Sequence, residues 1–261
     1  MRLKEAAAWN QTEDDWRVLL TLAPDSCFGM EFDGELAATT TAVIYGNELA
    51  WIGMVLTAPE FRKRGFAHDL MNHALHHLRQ RNVAWAKLDA TEMGARVYAD
   101  FGFQFECVVE RWQRVTDDSP VEAEHNSGEG ADRPPLEESD AFGVSRAALL
   151  TQLSRIGGVS HHESGFALWR PGSSAAYFGP CVANDRDSAE HLLRECLRAN
   201  RGLPLVWDLA PQNTDAVQLA AQYGFKKSRT LSRMACALRP DAKPLRTEMD
   251  SIFALAGFEY G

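Results

Sequence analysis

The sequence lacks a long hydrophobic run. Its longest apolar stretches, such as Leu49 to Leu56, are much shorter than the roughly 20 residues that a membrane-spanning helix needs. The basic start of the chain, Met1 to Lys4, leads into no apolar core of the kind that secretory signals contain. We therefore expect a cytoplasmic protein that does not act at a membrane.

Cysteine is scarce and occurs without a Cys-x-x-Cys pair. The five cysteines are an odd number and are widely spaced. Disulfide frameworks and thiolate zinc sites need paired or closely spaced cysteines, so neither is indicated. We expect reduced, mostly buried thiols at Cys27, Cys107, Cys181, Cys196 and Cys236.

Positive charge is also in short supply. The chain has 27 lysine and arginine residues against 36 aspartate and glutamate residues, which gives a formal net charge of -9. Nonspecific nucleic-acid binding needs a basic face that displaces counterions from phosphates. We therefore expect no nucleic-acid partner.

Most of the negative charge lies in one segment. Residues 116–140 hold nine acids and one arginine, with several prolines and glycines and almost no large apolar side chains. This composition predicts a solvated linker; a charged surface loop within one domain is the alternative. Because 261 residues suit two domains of about 100 to 150 residues, we predict domains over residues 1–115 and 141–261, joined by an acidic flexible linker over residues 116–140.

Hydrophobic periodicity predicts strands that alternate with helices in the first half, an arrangement typical of an α/β fold with a mixed sheet. The predicted elements are a helix at Trp16–Leu22, a hairpin of Cys27–Phe32 and Leu36–Tyr45 turned at Asp33-Gly34, a buried strand at Leu49–Leu56, a helix from Gly65 to Gln80, a strand at Trp85–Ala90, a helix at Ala95–Asp100 and a strand at Phe105–Arg111.

The second half repeats this order. Its predicted elements are a helix at Ser145–Ser154, strands at Gly165–Arg170 and Ala175–Val182, a helix at Ala189–Leu197, a strand at Pro204–Leu209, a helix at Asp215–Gln222 and a strand at Thr230–Ala237. The repetition is clearest where Tyr-Ala-Asp-Phe-Gly-Phe, residues 98–103, aligns with Ala-Ala-Gln-Tyr-Gly-Phe, residues 220–225. We interpret it as an internal duplication.

The strongest chemical signal follows the buried strand that ends at Leu56. Arg62, Lys63 and Arg64 precede Gly65, where a helix is predicted to begin. The first amides of a helix have no internal partners and lie at the positive end of its dipole, so they can bind a phosphate. Glycine lets a diphosphate approach the main chain. The alternative is a merely solubilising helix start.

These residues resemble the GNAT family of N-acetyltransferases. The family signature Gln/Arg-x-x-Gly-x-Gly/Ala is met by Arg62 to Ala67, and a second signature, a helical tyrosine before Gly-Phe, is met by Ala95 to Phe103. The run Leu88 to Thr91 and Trp9 to Gln11 are similar to a tandem branch with a diverged second domain. The resemblance covers most of both halves and is specific in the first. It implies two GNAT-like acyl-CoA N-acyltransferase domains.

The resemblance also implies how acetyl-CoA binds. The amides of the loop would hold the pyrophosphate, at Arg62, Lys63, Arg64, Gly65, Phe66 and Ala67. The backbone of the preceding strand would pair with pantetheine as an added strand, at Val55, Leu56 and Thr57. The main-chain N–H of Val55 would stabilise the oxyanion.

Acetyl transfer to an amine needs a proton for the departing thiolate and a base for the ammonium. The resemblance places Tyr98 as the general acid, and a phenol with a pKa near 10 suits a thiolate; a core aromatic is the alternative. The position of the family's glutamate base corresponds to Trp51. Asp89, Glu92 and a chain of water molecules remain candidates for the base.

The second copy lacks these groups. Ala220 aligns with Tyr98 and has no proton to donate, and Asp185-Arg186-Asp187-Ser188 matches the cation–glycine loop. Two acids would repel a pyrophosphate. We predict that the second domain does not bind CoA, and that it walls the acceptor pocket or braces the first sheet.

A metal site is not indicated, since His73, His76 and His77 lie on the polar side of one helix without a completing carboxylate.

Taken together, the motifs and the resemblance predict a cytoplasmic acetyl-CoA-dependent N-acetyltransferase, monomeric or homodimeric, whose acceptor is an amine-bearing small molecule or peptide.

Two alternatives remain open. An acyl-CoA sensor or scaffold would keep the loop and lose turnover, although Tyr98 counts against it. An enzyme with another phosphate-bearing cofactor is disfavoured because both Gly-x-x-x-x-Gly-Lys-Ser/Thr and Gly-x-Gly-x-x-Gly are absent.

Overall fold

The computed structural model describes residues 9–115 and 138–261. Its elements in the first half are α1 (Glu13–Leu22), β1 (Cys27–Phe32), β2 (Glu35–Tyr45), β3 (Leu49–Thr57), a 3₁₀ turn (Pro59–Phe61), α2 (Phe66–Gln80), β4 (Trp85–Ala90), α3 (Glu92–Ala99) and β5 (Gln104–Arg114). In the second half they are α4 (Ser139–Phe142), α5 (Ala147–Ile156), β6 (Gly158–His162), β7 (Gly165–Arg170), β8 (Ala176–Ala183), α6 (Arg186–Ala199), β9 (Leu205–Leu209), α7 (Thr214–Gln222), β10 (Lys226–Ala237), a 3₁₀ turn (Met249–Ser251) and β11 (Ile252–Ala254).

The two halves share one mixed sheet. The strand order is β1-β2-β3-β4-β10-β5-β9-β8-β7-β6, and β11 pairs with β8. One strand of each half therefore pairs with the other half: β10 pairs with β4 of the first half, and β5 pairs with β9 of the second. Because β5 and β10 also pair with each other, the sheet continues through the middle of the molecule.

The core lies on both faces of this sheet. One cluster packs α2 against β3 and β4 through Met71, Leu75 and Leu78, which recur on one face of the helix. A second cluster packs α6 and α7 around Trp207 of β9. The buried aromatic side chain of Trp51 belongs to a third cluster, which joins elements of both halves. This shared core holds the exchanged strands in register.

Most of the predicted elements are present. The hairpin turns at Asp33 and Gly34, whose φ angles are +52° and +75°, as the Asp-Gly pair predicts. Residues 85–90 and 165–170 form strands with the predicted bounds. Sequence periodicity missed β6, β11 and α4 because these elements are short. The helix before β5 begins earlier than predicted, since the Thr91 side chain caps it by accepting a bond from the Gly94 amide.

The repeated sequence has a repeated structure. Gly102 and Gly224 end helices α3 and α7 with φ angles of +88° and +78°. After each glycine the chain bonds back in the same way, from the Phe103 amide to the Tyr98 carbonyl and from the Phe225 amide to the Ala220 carbonyl. The two segments are therefore equivalent parts of a duplicated fold.

The predicted linker falls largely outside the described residues, which exclude 116–137, and the domain boundaries stay a prediction. Its last three residues are structured. Glu138 is buried and accepts hydrogen bonds of 2.5 and 2.9 Å from Arg146, and Ser139 and Asp140 begin α4. Glu138 itself is thus not solvated, because its carboxylate has a buried guanidinium partner, whereas Asp140 is exposed.

No helix within 9–115 or 138–261 is both long and apolar enough to cross a membrane. The five cysteines all lie in these ranges and are free thiols, three of them buried and two half-buried.

Candidate functional site

Strands β3 and β4 are parallel at one end and diverge at the other. Their pairing runs from Leu49 to Trp51 on β3 and goes no further in the described structure. Met54 has a φ of +50°, and its carbonyl accepts a 2.8 Å hydrogen bond from the Thr39 hydroxyl. The β2–β3 register shifts here, as at a β-bulge. The bulge bends β3 away from β4 and opens a gap beside Val55.

Helix α2 begins next to the end of β3, and its N-terminus is open. Gly65 is the N-cap residue, with a φ of +87° and no capping side chain among the described residues. Apart from Gly65 and its two chain neighbours, no atom of the described residues lies within 4 Å of where a Cβ would stand on Gly65. The first amides of the helix are thus exposed to a ligand in the way that anion sites require.

The cations of this loop are exposed, and aromatic side chains hold one of them. The Arg64 guanidinium lies 5.0 Å from the Phe32 ring centroid and 5.5 Å from that of Phe61. Phe66 packs on Phe32 with ring centroids 5.5 Å apart. These contacts favour one orientation of the loop. Lys63 has a φ of +62°, which continues the tight path toward the helix.

A cavity of about 200 Å³ lies at the point where β3 and β4 diverge. Tyr98 and Asp89 line it together with Val55, so the structure brings three predicted site residues to one place. The other predicted cofactor positions, Leu56, Thr57 and the loop from Arg62 to Ala67, follow Val55 along the chain and lie outside this cavity.

The Tyr98 side chain is half-buried against the hydrophobic cluster that includes Phe103. Burial raises the pKa of Tyr98 to about 12. Its ring lies 6.2 Å from the Phe103 ring, centroid to centroid. The phenol therefore stays protonated throughout the neutral range, as a proton donor must.

Asp89 is held by a buried partner. Both of its carboxylate oxygens accept hydrogen bonds of 2.9 Å from Arg233 of β10. Burial raises the pKa of Asp89, while the charge and hydrogen bonds of Arg233 act in the opposite direction. The Arg233 guanidinium also lies 4.5 Å from the Trp51 ring centroid. Asp89 thus fixes the Arg233 side chain of β10, which also contacts the Trp51 ring of β3, and both of its carboxylate oxygens are engaged by this arginine.

Glu92 lies apart from the cavity. Its side chain is 89% exposed and accepts a 3.0 Å hydrogen bond from Arg96, one turn later on α3. Trp51 corresponds to the position of the family's glutamate base. It is fully buried and donates a hydrogen bond to the Phe258 carbonyl.

Sequence reasoning missed the residues that line the far side of the cavity. They are Gln11, Arg111, Arg229, Leu231, Phe258 and Glu259. Most come from the second half or from β5, the strand of the first half that pairs with β9 of the second. Because they are distant in sequence from the predicted site residues, no local motif marks them. The segment after β11, residues 255–261, is called the tail here. It reaches β3 because Gly53 has no side chain: a Cβ there would stand 3.0 Å from the Glu259 carbonyl oxygen.

Two of these residues carry buried oxygens without a partner. The Oε1 atom of Gln11 and the Oε2 atom of Glu259 accept no hydrogen bond from the described residues. The other Glu259 oxygen accepts a 2.9 Å bond from Arg170. Burial raises the pKa of Glu259, and Arg170 acts in the opposite direction. Two residues of the cavity wall therefore carry a buried acceptor that no donor of the described residues satisfies.

The corresponding place in the second half is closed. Asp185 is the N-cap of α6, so by helix position Asp185, rather than Ser188, corresponds to Gly65. Its carboxylate accepts bonds of 2.8 and 2.9 Å from the amide and hydroxyl of Ser188. These bonds lower the pKa of Asp185. A cavity of about 620 Å³ beside it has a lining of mixed charge, with the acids Asp185, Asp187 and Glu190 and the basic residues His162, His191, Arg194 and Arg198.

The histidines of α2 are used in packing. His73 and His77 contact the Phe28 ring edge-on, at centroid distances of 4.7 and 5.5 Å. His76 contacts Gln80 one turn later. The described residues contain no group of three or more His, Cys, Asp or Glu side chains arranged to hold a metal ion.

Comparison with known families gives both halves the same assignment. A model of the acetyltransferase (GNAT) family matches residues 3–103, and a model of an acetyltransferase (GNAT) domain matches residues 137–254. The chain belongs to the GNAT acetyltransferase family. It is a tandem GNAT protein with a mixed α/β fold. The family transfers acyl groups from acyl-CoA to amine-bearing acceptors, so this chain is an acyltransferase by family.

Solved structures share the tandem arrangement. A putative acetyltransferase from Pyrococcus horikoshii superposes with a TM-score of 0.84 at 19% identity, over 99% of this chain and 90% of that one. A tandem GNAT protein from the clavulanic acid biosynthesis pathway gives a TM-score of 0.63 at 16% identity, over 92% of this chain and 93% of that one. At these identities the likeness concerns the fold. A comparison with curated protein sequences found no significant match.

Proposed function

We propose that this GNAT protein transfers an acetyl group from acetyl-CoA to a primary amine, which attacks directly in a ternary complex. Two neighbouring features support the proposal: an uncapped helix N-terminus at Gly65, and a pair of diverging strands, β3 and β4, beside a cavity that Tyr98 of α3 lines. The first can bind a diphosphate, and the second leaves room for a thioester beside a proton donor.

The loop fits a diphosphate. The open space around Gly65 and the uncapped amides of α2 suit phosphate oxygens. Exposed cations at Arg62 and Lys63 add favourable charge, while Arg64 is held on aromatic rings. We assign the pyrophosphate to the amides of Arg62 to Ala67.

The strand edge fits an extended pantetheine arm. Beyond Trp51, the edge of β3 that faces β4 has no strand partner in the described structure. Val55, Leu56 and Thr57 lie on this part of the strand. We assign them to pairing with the arm, and the Val55 amide to the oxyanion.

When bound, acetyl-CoA supplies a thioester carbon activated for attack. Tyr98 holds a proton at its phenolic oxygen and gives it to the departing sulfur. The raised pKa keeps that proton in place at neutral pH.

For removal of the proton from the amine, the contacts favour a chain of water molecules over either of the two carboxylates predicted from the sequence. Asp89 has both oxygens bonded to Arg233, and Glu92 lies exposed beside Arg96. We propose that Asp89 acts as a positioning residue, through Arg233, and that Glu92 has no part in the reaction.

We further propose that only the first half binds CoA. In α6 the Asp185 carboxylate occupies the amides that a phosphate would need, and Ala220 stands in place of Tyr98. The second half contributes instead to the wall of the cavity, through β10 and the tail.

The test is thiol release from acetyl-CoA with a panel of primary amines, for wild type and Tyr98→Phe. We expect at least one amine to release thiol above hydrolysis, and the variant to lose most of this rate. If CoA binds and no amine releases thiol, the chain is an acyl-CoA sensor and the proposal fails.

A further inference from the structure

The exchanged strands create an unusual row of charges at the cavity. Asp208 of β9, Arg111 of β5 and Arg229 of β10 are successive cross-strand partners. Side chains directly opposite one another lie on the same face of a sheet, and like charges in that position are destabilising. Two arginines therefore face each other beside the candidate acyl site.

Only one of the two arginines is neutralised. Arg111 donates hydrogen bonds of 2.7 and 2.6 Å to the two oxygens of Asp208. Its guanidinium also lies 4.6 Å from the Phe258 ring centroid. Arg229 is exposed, and no ion pair of Arg229 occurs in the described part of the chain. The row thus leaves one positive charge at the mouth of the cavity.

A local irregularity gives Arg229 this position. The β5–β10 register shifts between Lys227 and Arg229, and the Ser228 hydroxyl bonds to the Arg111 carbonyl. In regular pairing, residue 229 would not be opposite residue 111. Bulges of this kind redirect side chains and are common next to active sites.

The inner wall of the same cavity differs from its mouth, because its residues carry hydrogen-bond acceptors instead of a positive charge. Gln11 Oε1 and Glu259 Oε2 are buried acceptors without a partner in the described residues. Burial of an acceptor without a hydrogen-bond partner is unfavourable, so such groups call for a donor. An ammonium or amine supplies N–H donors.

We propose that the acceptor is an amine that also carries an anionic group, a carboxylate or a phosphate, and that Arg229 binds this group opposite Arg111. The inference rests on the proposed acetyl transfer and adds the chemical class of the acceptor. The amine faces the wall of Gln11 and Glu259, and the anion faces Arg229. Arg229 is thereby a specificity-determining residue.

The test compares amines that differ in the anionic group alone. The pairs are 4-aminobutyrate with 4-aminobutanamide, and phosphoethanolamine with ethanolamine, with rates expressed per concentration of neutral amine. We expect the anionic member of at least one pair to have a kcat/KM about tenfold higher, the factor typical of one charged hydrogen bond. The two pairs separate carboxylate from phosphate.

Variants assign the effect to the residue. Arg229→Gln should raise KM for the preferred anionic amine about tenfold and leave kcat, the KM for acetyl-CoA and the neutral amine unchanged. Arg229→Lys should recover part of the loss. Lys226→Gln is the matched control, since Lys226 is an exposed cation on the same strand and does not line the cavity. If Arg229→Gln changes KM equally for the anionic and the neutral amine of a pair, or changes neither, the inference is wrong.

A binding measurement separates this inference from the proposed function. Tryptophan fluorescence, with Trp9 in the cavity wall, reports binding of the same four amines in the presence of CoA. Binding of an anionic amine that Arg229→Gln weakens supports the site even if no thiol is released. If neutral amines are acetylated and anionic ones neither react nor bind better, acetyl transfer stands and the inference is wrong.

Discussion

The Arg170 side chain donates a 2.8 Å hydrogen bond to Asp15 although 155 residues separate them in the sequence. Arg170 lies on β7 of the second half and Asp15 on α1 of the first. The same guanidinium bonds the Glu259 carboxylate and the Ala256 carbonyl. All three charged side chains are buried. One arginine therefore ties both halves and the cavity-lining tail together.

Replacement of this arginine should be costly. Arg170→Met leaves Asp15 and Glu259 buried without their cation, and removal of one partner from a buried ion pair costs about 3 to 5 kcal/mol. We expect a loss of that size in the free energy of unfolding, measured by urea denaturation. Arg17→Met is the control, because Arg17 is 65% exposed and its pairs are at the surface.

The pH dependence of that variant has a defined sign. Burial already raises the pKa of Glu259, and loss of Arg170 removes the charge that opposes this rise. A carboxyl whose folded pKa exceeds its unfolded pKa favours folding at low pH and loses that advantage as pH rises. The deficit relative to wild type should therefore be smaller at pH 5 than at pH 8. A deficit independent of pH would contradict the assigned cause.

Binding of the cofactor should depend on Gly65. Gly65→Val places a β-branched residue at a φ of +87° and a side chain over the α2 amides. We expect the Kd for CoA, measured by calorimetry, to rise about a hundredfold or more, which corresponds to about 2.7 kcal/mol. An unchanged Kd would contradict the loop assignment.

Two controls isolate the cause. Gly46→Val imposes a similar strain, since Gly46 has a φ of +63° and open surroundings, yet it lies at a distant turn. Asp185→Ala alters the start of α6 in the second half. Both should leave the Kd for CoA unchanged.

The role of Tyr98 predicts both a rate and a pH profile. Tyr98→Phe removes the proton donor and should lower kcat about 10²- to 10⁴-fold, the range of general acid catalysis, with little change in KM for acetyl-CoA. Because burial raises the pKa of Tyr98 to about 12, the wild-type rate should not fall between pH 8 and pH 10. A decline centred near pH 10 would show an unburied phenol or another acid.

The two carboxylates proposed from the sequence should respond differently. Asp89→Asn leaves Arg233 buried without its anion and should cost about 3 to 5 kcal/mol of unfolding free energy. Glu92→Gln breaks only an exposed pair with Arg96 and should cost about 0.5 kcal/mol or less. Per folded molecule, both variants should retain kcat within about tenfold. Loss of the acid limb of the pH profile in either variant would identify that residue as the base.

The sequence by itself predicted the local parts of this protein. The apolar run of β3, the periodicity of α2 and the Asp-Gly turn depend on neighbouring residues, which is why they were found. The helix start at Gly65 was predicted because a glycine at the beginning of an apolar periodicity is a local pattern. Its left-handed backbone agrees with that interpretation.

Only the tertiary structure decided which residues share the cavity. Arg229 lies opposite Arg111 because β10 of the second half pairs with β5 of the first. Glu259 contacts Gly53 because the tail lies against β3. Asp89 is held by Arg233 because β10 also pairs with β4. Strand pairing and buried charge partners join residues more than 100 positions apart. Periodicity and motifs concern short spans of sequence, and long-range pairing depends on which surfaces can be buried together.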